Sequence, residues 1–232
     1  MNAASYQPGI IANSWTSILG VNLAPRTDDW SHSIVDGKLP RSLDGVSVTI
    51  GGKPALVAFI SSGQLNVLAP DLPAGPAEVV VTTPTGASAA YTATLAVYGP
   101  AFFAWPGNQV VATHQDYSLA AKAGSIAGTT TTAAKPGDVL VLWGAGFGPT
   151  TPAAPSGAPV PSDQVYASST MPGVTINNAP ATVFGAALSP GSAGLFQIAI
   201  QVPDTLPDGD WPVQAAIGGV TSPTGTILSI HR

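Results

Sequence analysis

The sequence contains an internal duplication, and this duplication limits the choice of folds more than any other feature of the chain. Trp15–Pro25 aligns with Val139–Pro149, and three further blocks follow in the same order and at similar spacing. These blocks are Val48–Ala55 with Val174–Ala181, Gln64–Gly75 with Gln197–Gly209, and Thr85–Ser88 with Gly218–Thr221. Four aligned blocks in one order indicate two copies of one structural unit, each close to the size of a small domain.

Each copy is rich in strand and turn patterns and poor in helix patterns. Val46–Ile50 alternates apolar and polar residues, and runs such as Val139–Trp143 recur between clusters of Gly, Pro and Asn. Gly51–Gly52 and Asn177–Asn178 stand where a two-residue hairpin turn needs positive φ at both positions. Short strands at this spacing are typical of an immunoglobulin-like β-sandwich. We therefore predict an all-β chain of two tandem immunoglobulin-like β-sandwiches.

The duplication also predicts where the domains lie. We expect a first sandwich at residues 1–98, a second at residues 135–232, and a linker at residues 99–134 that belongs to neither copy. The linker contains a hairpin pattern around Gln115–Asp116, and we expect its aromatic residues to pack between the sandwiches. Five other aromatic residues are candidates for the two cores, namely Trp15, Phe59, Trp143, Phe184 and Phe196.

Composition and charge exclude several classes of function. The 232 residues include no cysteine, which excludes a disulfide scaffold, a cysteine-bound zinc site and a thiol nucleophile. A net charge of −5 with only seven Lys and Arg residues argues against a nucleic-acid partner. No apolar run approaches the roughly 18 residues of a membrane span. Met1–Tyr6 lacks a signal-peptide pattern, while the scarcity of charge, 8% of residues, predicts a secreted or cell-surface module.

No motif in the sequence predicts a catalytic residue. The three histidines, His32, His114 and His231, lie in separate segments, and no nucleophile elbow or paired metal-binding histidines occur. One enzymatic alternative stays open, a hydrolase with a site between the two sandwiches that uses His114 or His32 with a Ser and an Asp. A histidine within hydrogen-bond reach of both partners would support it.

Two sets of residues are candidates for ligand binding. Exposed aromatic rings could stack on sugars, and the candidates are Trp30, Trp105, Tyr117 and Trp211. The only dense acidic cluster could bind Ca²⁺ through Asp204, Asp208 and Asp210. Ala74 and Pro76 replace two of these aspartates in the first copy, so this calcium site would exist once. No other cofactor is predicted.

Two motifs resemble those of a known family. Pro136–Pro149 and Gly219–Pro223 are similar to the opening and closing motifs of IPT/TIG immunoglobulin-like domains. The whole chain more closely resembles the uncharacterised Solibacter-type C-terminal domain of large secreted bacterial proteins. The segments that carry this resemblance are Asn2–Tyr6, Gly63–Val67, Leu72–Pro76, Ala134–Asp138 and Leu206–Asp210. It implies a fold, an extracellular setting and a larger parent protein, and it implies no activity and no catalytic residues.

Three functions are consistent with these patterns. The first is a non-enzymatic extracellular binding or structural module for a polysaccharide or cell-surface ligand. The second is the hydrolase described above. The third is a surface subunit that self-assembles into oligomers through its edge strands, which a concentration-dependent mass in solution would reveal.

Overall fold

The computed structural model describes residues 1–232, and nearly all its regular structure is strand. The first repeat contains β1 (Ile10–Ile11), β2 (Trp15–Leu19), β3 (Asp28–Asp29), β4 (Ser42–Leu43), β5 (Val46–Ile50), β6 (Lys53–Pro54), β7 (Leu56–Ile60), β8 (Gln64–Leu68), β9 (Gly75–Thr83), β10 (Gly86–Ala87) and β11 (Tyr91–Ala96). The middle segment, residues 99–134, contains β12 (Ala101–Phe102), β13 (Ala112–His114), β14 (Leu119–Ala120) and β15 (Thr131–Thr132).

The second repeat completes the chain. Its strands are β16 (Val139–Ala145), β17 (Thr150–Thr151), β18 (Ala167–Ser168), β19 (Gly173–Ile176), β20 (Ala179–Leu188), β21 (Phe196–Gln201), β22 (Gly209–Ile217), β23 (Val220–Thr221) and β24 (Ile227–Ile230). Two short 3₁₀ turns, Trp30–His32 and Pro106–Asn108, are the only helical elements. None of the helical segments has the length and apolarity needed to cross a membrane.

Two sheets face each other in the first repeat, in the orders β1-β11-β9-β5-β4 and β2-β8-β7-β3. Alternate residues of β5 are buried, because successive side chains of a strand point to opposite faces. Val48, Leu65 and Leu95 are among the side chains that fill the space between the sheets. The predicted all-β sandwich is thereby confirmed.

The second repeat copies the strand pairing of the first. β16, β21 and β20 pair in order, as β2, β8 and β7 do, and β19 pairs with β22 as β5 pairs with β9. Even the parallel contact of Ile10 with Leu95 has a counterpart, the parallel bridge between Ala134 and Ile230. In the second repeat the long strand β20 pairs with both sheets and joins them. The structure therefore shows two tandem immunoglobulin-like sandwiches.

The hairpin turns predicted from sequence form as expected. Gly51 and Gly52 have φ of 56° and 75°, and Asn177 and Asn178 have φ of 52° and 62°. Both turns thus use two consecutive positive-φ residues, as a type I′ turn requires. Only in the last aligned block does the structure differ from the sequence alignment, by one residue. Gly86 pairs with Thr83 as Val220 pairs with Ile217, so Gly86 corresponds to Val220 rather than to Gly219.

The predicted core aromatics divide into two groups. Phe196 is buried beside Phe147, at 5.6 Å between ring centroids, whereas Phe184 is 56% exposed. The prediction for Phe184 is wrong because a β-bulge between Val183 and Gly185 leaves it without a cross-strand partner. The corresponding bulge of the first repeat places Ala58 at this position. Trp15, Phe59 and Trp143 are partly buried.

The middle segment differs from the expected linker. Its strands β12 and β13 pair with β16, and β13 and β14 form the predicted hairpin. Phe102, Val110, Ala112 and Ala120 belong to the core of the second repeat, so the aromatic Phe102 packs inside one sandwich rather than between two. The edge of β16 offered unpaired backbone groups, and the segment satisfies them. The exact domain limits stay a prediction.

Tyr98 joins the two repeats. Its ring lies between Gly148 and Gly218 of the second repeat, where a Cβ on either glycine would stand 2.2 or 2.3 Å from a ring atom. Its hydroxyl lies 2.9 Å from Thr170 Oγ1. The next residue, Gly99, donates its N–H to the carbonyl of Gly146 at 3.0 Å. These contacts set how the first repeat meets the second.

Candidate functional site

A cleft of about 980 Å³ lies on the first repeat, beside its junction with the second. The N-terminal segment, β1, β2 and β11 form most of its walls, and Val220 and Thr221 of β23 close one side. Three apolar or aromatic side chains at its wall are exposed to solvent, namely Leu19 (52%), Tyr91 (72%) and Val220 (39%).

Two incompletely paired strand edges create this cleft. β2 pairs along one side with β8, but on its other side only Met1–Ala3 pair with it, through Trp15 and Ser17. β11 pairs fully with β9, whereas β1 covers only Leu95 and Ala96 of its other edge. The remaining edges, 18–19 and 91–94, therefore line the cleft without a strand between them.

The second repeat has the same gap, and the middle segment closes it. Val110 donates its N–H to the carbonyl of Ile227 in β24 at 2.8 Å. On the opposite side, Trp143 of β16 donates to Val111 O and accepts from Phe103 N, both at 3.0 Å. Val110 and Ala112 are at most 1% exposed. In the first repeat, the corresponding place is the cleft beside Met1.

The cleft walls are uncharged, apart from the terminal ammonium group of Met1. Val79, Val81 and Leu23 contribute apolar surface, and no Asp, Glu, Lys, Arg or His side chain lines the cleft. The Met1 ammonium donates to Ser17 O at 3.0 Å, and burial lowers its pKa. Such walls suit an uncharged ligand, and the volume lies at the upper end of the range of about 300–1,000 Å³ for ligand pockets.

One wall residue carries a buried hydroxyl group without a partner. Thr16 is 1% exposed, and its Oγ1 makes no hydrogen bond. Leu140 takes this position in the second repeat. The neighbouring hydroxyl, Ser17 Oγ, donates to Asn66 Oδ1 at 2.9 Å and is satisfied. Since buried polar groups are usually paired, Thr16 marks a place where a ligand atom could complete the site.

The four aromatic residues predicted to bind ligand do not line the cleft or stack on one another. Trp30 packs edge-on against Trp15 at 5.3 Å, and Trp211 is partly buried and donates Nε1–H to Pro207 O at 2.8 Å. Trp105 is also partly buried, with Nε1 unpartnered. Only Tyr117 is largely exposed, at the tip of the β13–β14 hairpin. The four rings therefore do not form one shared surface, and their role in ligand binding stays a prediction.

The three aspartates of the predicted calcium site have separate surroundings. Asp208 lies 3.5 Å from His231 Nδ1 and accepts from Arg232 N. Asp210 accepts from the Ser229 hydroxyl and lies 3.6 Å from Lys122 Nζ. No group of three acidic or histidine side chains in the structure could hold a metal ion. The structure therefore does not gather Asp204, Asp208 and Asp210 into one group, because protein partners contact Asp208 and Asp210 individually, and calcium binding stays a prediction.

A second cavity, of about 430 Å³, is lined by His114, one of the two histidines that the hydrolase hypothesis names. His114 Nε2 is bonded to Thr132 O at 3.1 Å, and Nδ1 lies 3.8 Å from Asp138 Oδ2. Ser118 Oγ donates to Asp116 Oδ1 at 2.6 Å, and this bond lowers the pKa of Asp116. The serine proton is thus directed to a carboxylate rather than to the imidazole.

The other histidines give the hydrolase hypothesis no further support. His32 is exposed at the end of a 3₁₀ turn, and His231 is exposed beside the C-terminus. The cleft at the junction of the repeats contains no histidine. No serine–histidine hydrogen bond is present in the structure.

Sequence reasoning missed the residues that form the cleft, chiefly Thr16, Leu19, Tyr91 and Tyr98. A signal was available in the duplication. Thr16 and Ser17 align with Leu140 and Val141, so polar residues replace apolar ones on a strand that is buried in both copies.

Comparisons with known structures give loose overlaps. SGBP-B of the mixed-linkage glucan utilization locus of Bacteroides ovatus, solved with a mixed-linkage heptasaccharide, shares 10% identity at a TM-score of 0.37 and is matched over 99% of this chain and 47% of its own. The surface glycan-binding protein PbSGBP-B from Prevotella bryantii shares 11% identity at a TM-score of 0.27, over 96% and 39%. The gamma-CGTase from Alkalophilic bacillus clarkii shares 12% at a TM-score of 0.28, over 95% and 24%.

This chain therefore spans less than half the length of each of these three structures. Overlaps at such TM-scores do not transfer a ligand or an activity to it. No curated protein matches the chain. Residues 13–97, which make up most of the first repeat, match the family model described as IPT/TIG domain.

Proposed function

We propose that this chain is a non-enzymatic binding and structural module of a secreted or cell-surface protein, and that the cleft binds its ligand. The observation that carries the proposal is the cleft itself, whose side chains are uncharged, with Thr16 Oγ1 unpartnered in its wall. Tyr98 lines the cleft and also fixes the junction of the repeats, so the walls are held by packing in both repeats.

The cleft walls can bind a ligand but offer little to a reaction. General acid–base catalysis needs a side chain that transfers protons near neutral pH, and such groups are usually His, Asp, Glu or Lys. None of these residue types lines the cleft. Affinity would instead come from burial of apolar surface and from hydrogen bonds to backbone groups and hydroxyls.

We also propose where the whole chain belongs and how it is used. The whole chain is a relative of the Solibacter-type C-terminal domain, and it works as one part of a larger parent protein. The resemblance of the quoted segments supports the first, and the low share of charged residues, 8%, supports an extracellular setting. A polysaccharide is one candidate ligand, because Tyr91 offers an exposed ring and Ser and Thr side chains line the walls.

The proposal is tested by a binding screen with neutral polysaccharides, their oligosaccharides and uncharged peptides, run with and without Ca²⁺. An Ala93→Phe variant fills the cleft, whereas Tyr117→Ala removes an exposed ring elsewhere. We expect binding by the wild type and Tyr117→Ala, loss with Ala93→Phe, and no release of products. Turnover of any ligand, or binding that Ala93→Phe leaves unchanged, would contradict the proposal.

A further inference from the structure

The outer face of the sheet formed by β13, β16, β21 and β20 is a second candidate site, and none of its residues lines the cleft. We infer that this face binds a neutral polysaccharide, whose sugar rings stack on Trp143 and Phe184. We call the site the platform, and it consists of Thr113, Val141, Trp143, Phe184, Gly185 and Ala199. The inference goes beyond the proposed function, because it concerns a different surface.

Four residues of the platform form one row across four neighbouring strands. Thr113 of β13 pairs with Val141 of β16. Ala199 of β21 pairs with Val141 on one side and with Gly185 of β20 on the other. Neighbouring strands lie about 4.8 Å apart, so the row is about 14 Å long. The residues before and after Val141 and Ala199 on their strands are buried in the core, so the row faces away from it.

An aromatic ring stands at each end of this row. Trp143 lies on the same face of β16 as Val141, and its Nε1–H donates to Thr113 Oγ1 at 3.3 Å, which directs the indole toward β13. Phe184 precedes Gly185 at the bulge of β20 and is 56% exposed. A bulge commonly redirects a side chain at a functional site. The two rings therefore flank a floor of small side chains.

The floor between the rings is open. A Cβ added to Gly185 would meet no atom within 4 Å, and Val141 and Ala199 are partly exposed. No side chain of the chain stands over Gly185. A flat sugar chain that lies across the strands could therefore contact both rings.

The first repeat lacks this arrangement at the same positions. Ser17 and Asn66 occupy the two central positions of the row, and Ser17 Oγ donates to Asn66 Oδ1 at 2.9 Å. Phe59 covers the end of the row that Gly185 leaves open, because Phe59 pairs with Asn66 as Gly185 pairs with its partner on β21. A leucine replaces the tryptophan. The open, uncharged floor with two flanking rings is thus specific to the second repeat.

Charge and hydrogen-bonding capacity identify the class of ligand. β16, β20 and β21 contain no charged residue, so they offer no ion pair to a charged polymer. Gln197 and Gln201 lie on the same face, on either side of Ala199. Their Nε2 groups donate to Ser189 Oγ and Gly137 O, each at 3.2 Å, and no group of the chain donates to their Oε1 atoms. Sugar hydroxyls can donate to these oxygens, whereas an apolar protein surface would bury them unpaired.

Two variants test the platform without disturbing the core. Phe184→Ala removes an exposed ring, and we expect it to weaken polysaccharide binding about fivefold while the chain stays folded. Gly185→Ile fills the floor, and the φ of Gly185 lies outside the left-handed region, so a side chain is tolerated. We expect Gly185→Ile to weaken binding at least about tenfold. Tyr117→Ala removes an exposed ring elsewhere and should bind as the wild type does.

Binding is measured by native electrophoresis in gels that contain hydroxyethyl cellulose, galactomannan or dextran, and is located by amide chemical shifts. We expect at least one of these neutral polymers to retard the chain, with the largest shifts at residues 141–143, 184–187 and 197–201. Carboxymethyl cellulose, which carries negative charges, should retard the chain less than the neutral polymer that binds. Ala93→Phe fills the cleft and removes any binding there, and it should leave the shifts at the platform unchanged.

Each outcome separates the platform from the cleft. Binding lost in Ala93→Phe but kept in Gly185→Ile would place the polysaccharide in the cleft, which overturns the inference and leaves the proposed function standing. Equal retardation of the wild type and Gly185→Ile, or equal retardation by carboxymethyl cellulose, would also overturn the inference. Self-association that Phe184→Ala abolishes would identify a second copy as the occupant and would overturn it too. If no neutral polymer retards the chain, the inference is wrong, and the proposed function is then decided by the binding of uncharged peptides in the cleft.

Discussion

The ring of Tyr98 lies so close to Gly148 that a Cβ built on the glycine would stand 2.2 Å from Tyr98 Cε1. Gly218 confines the other side of the ring in the same way, at 2.3 Å from Cδ2. Tyr98, at the end of the first repeat, therefore occupies a slot that only glycines can form. Tyr98 also lines the cleft, so this contact links the junction of the repeats to the candidate site.

Substitution of Gly148 should disturb that junction. Gly148→Ala introduces both a positive-φ alanine and a clash with Tyr98, whereas Gly219→Ala introduces the same φ strain in open space. We expect Gly148→Ala to lower the free energy of unfolding by about 1–3 kcal/mol more than Gly219→Ala. Chemical denaturation of the two variants measures the difference. Equal losses would mean that Tyr98 does not occupy the slot.

Removal of the two buried hydroxyl groups of β2, one at a time, should change the free energy of unfolding in opposite directions. Thr16→Val removes an unpartnered group without changing its shape, so we expect a gain of about 1 kcal/mol in stability. Ser17→Ala removes the donor of a hydrogen bond to Asn66 and should lose about 1 kcal/mol. Thermal or denaturant unfolding of both variants provides the measurement. A loss of stability in Thr16→Val would show that the hydroxyl has a partner.

Two phenylalanines of the second repeat should differ sharply in their contribution to stability. Phe147 is fully buried between Phe102 and Phe196, so Phe147→Ala should lower stability by about 3–5 kcal/mol. Phe184 is 56% exposed on a bulge, and Phe184→Ala should change stability by less than about 0.5 kcal/mol. Similar losses in both variants, measured by urea denaturation, would contradict the placement of the bulge.

Stability should fall in acid through identified carboxylates. The hydrogen bond from Arg26 lowers the pKa of Asp44, and that from Ser118 lowers the pKa of Asp116. Their contribution is therefore complete above the unfolded pKa of about 3.9 and is lost as pH falls through the lower folded pKa. We expect Asp44→Asn to flatten the decline of the unfolding temperature below about pH 4. Asp163→Asn, which alters no ion pair, is the control and should keep the wild-type slope.

The duplicated sandwich was predictable because its signals are local. Gly51–Gly52 and Asn177–Asn178 specify tight turns by residue type alone, and the alternation in Val46–Ile50 specifies a half-buried strand. The strands of the middle segment were not predictable in the same way. They are two or three residues long and form only because the edge of β16 offers partners.

The cleft could not be predicted from the sequence, for a related reason. The cleft arises because two similar strand edges are covered differently in the two repeats. No local sequence pattern around Leu19 or Thr92 indicates which residues pair with them. The predicted binding residues were chosen by type instead. Trp30 and Trp211 proved to use their rings in packing. Asp208 and Asp210 proved to contact Arg232 and Lys122, and Asp210 also accepts a hydrogen bond from the Ser229 hydroxyl.

Amide hydrogen exchange of Leu19 and Trp143 tests most directly whether one edge is open and its counterpart closed. The two residues occupy the same place in the two repeats, but only Trp143 donates its N–H to a neighbouring strand. In the ligand-free chain we expect the Trp143 amide to exchange at least about a hundredfold more slowly than that of Leu19. Equal protection of both amides would show that the outer edge of β2 at Leu19 is paired in the same way as that of β16.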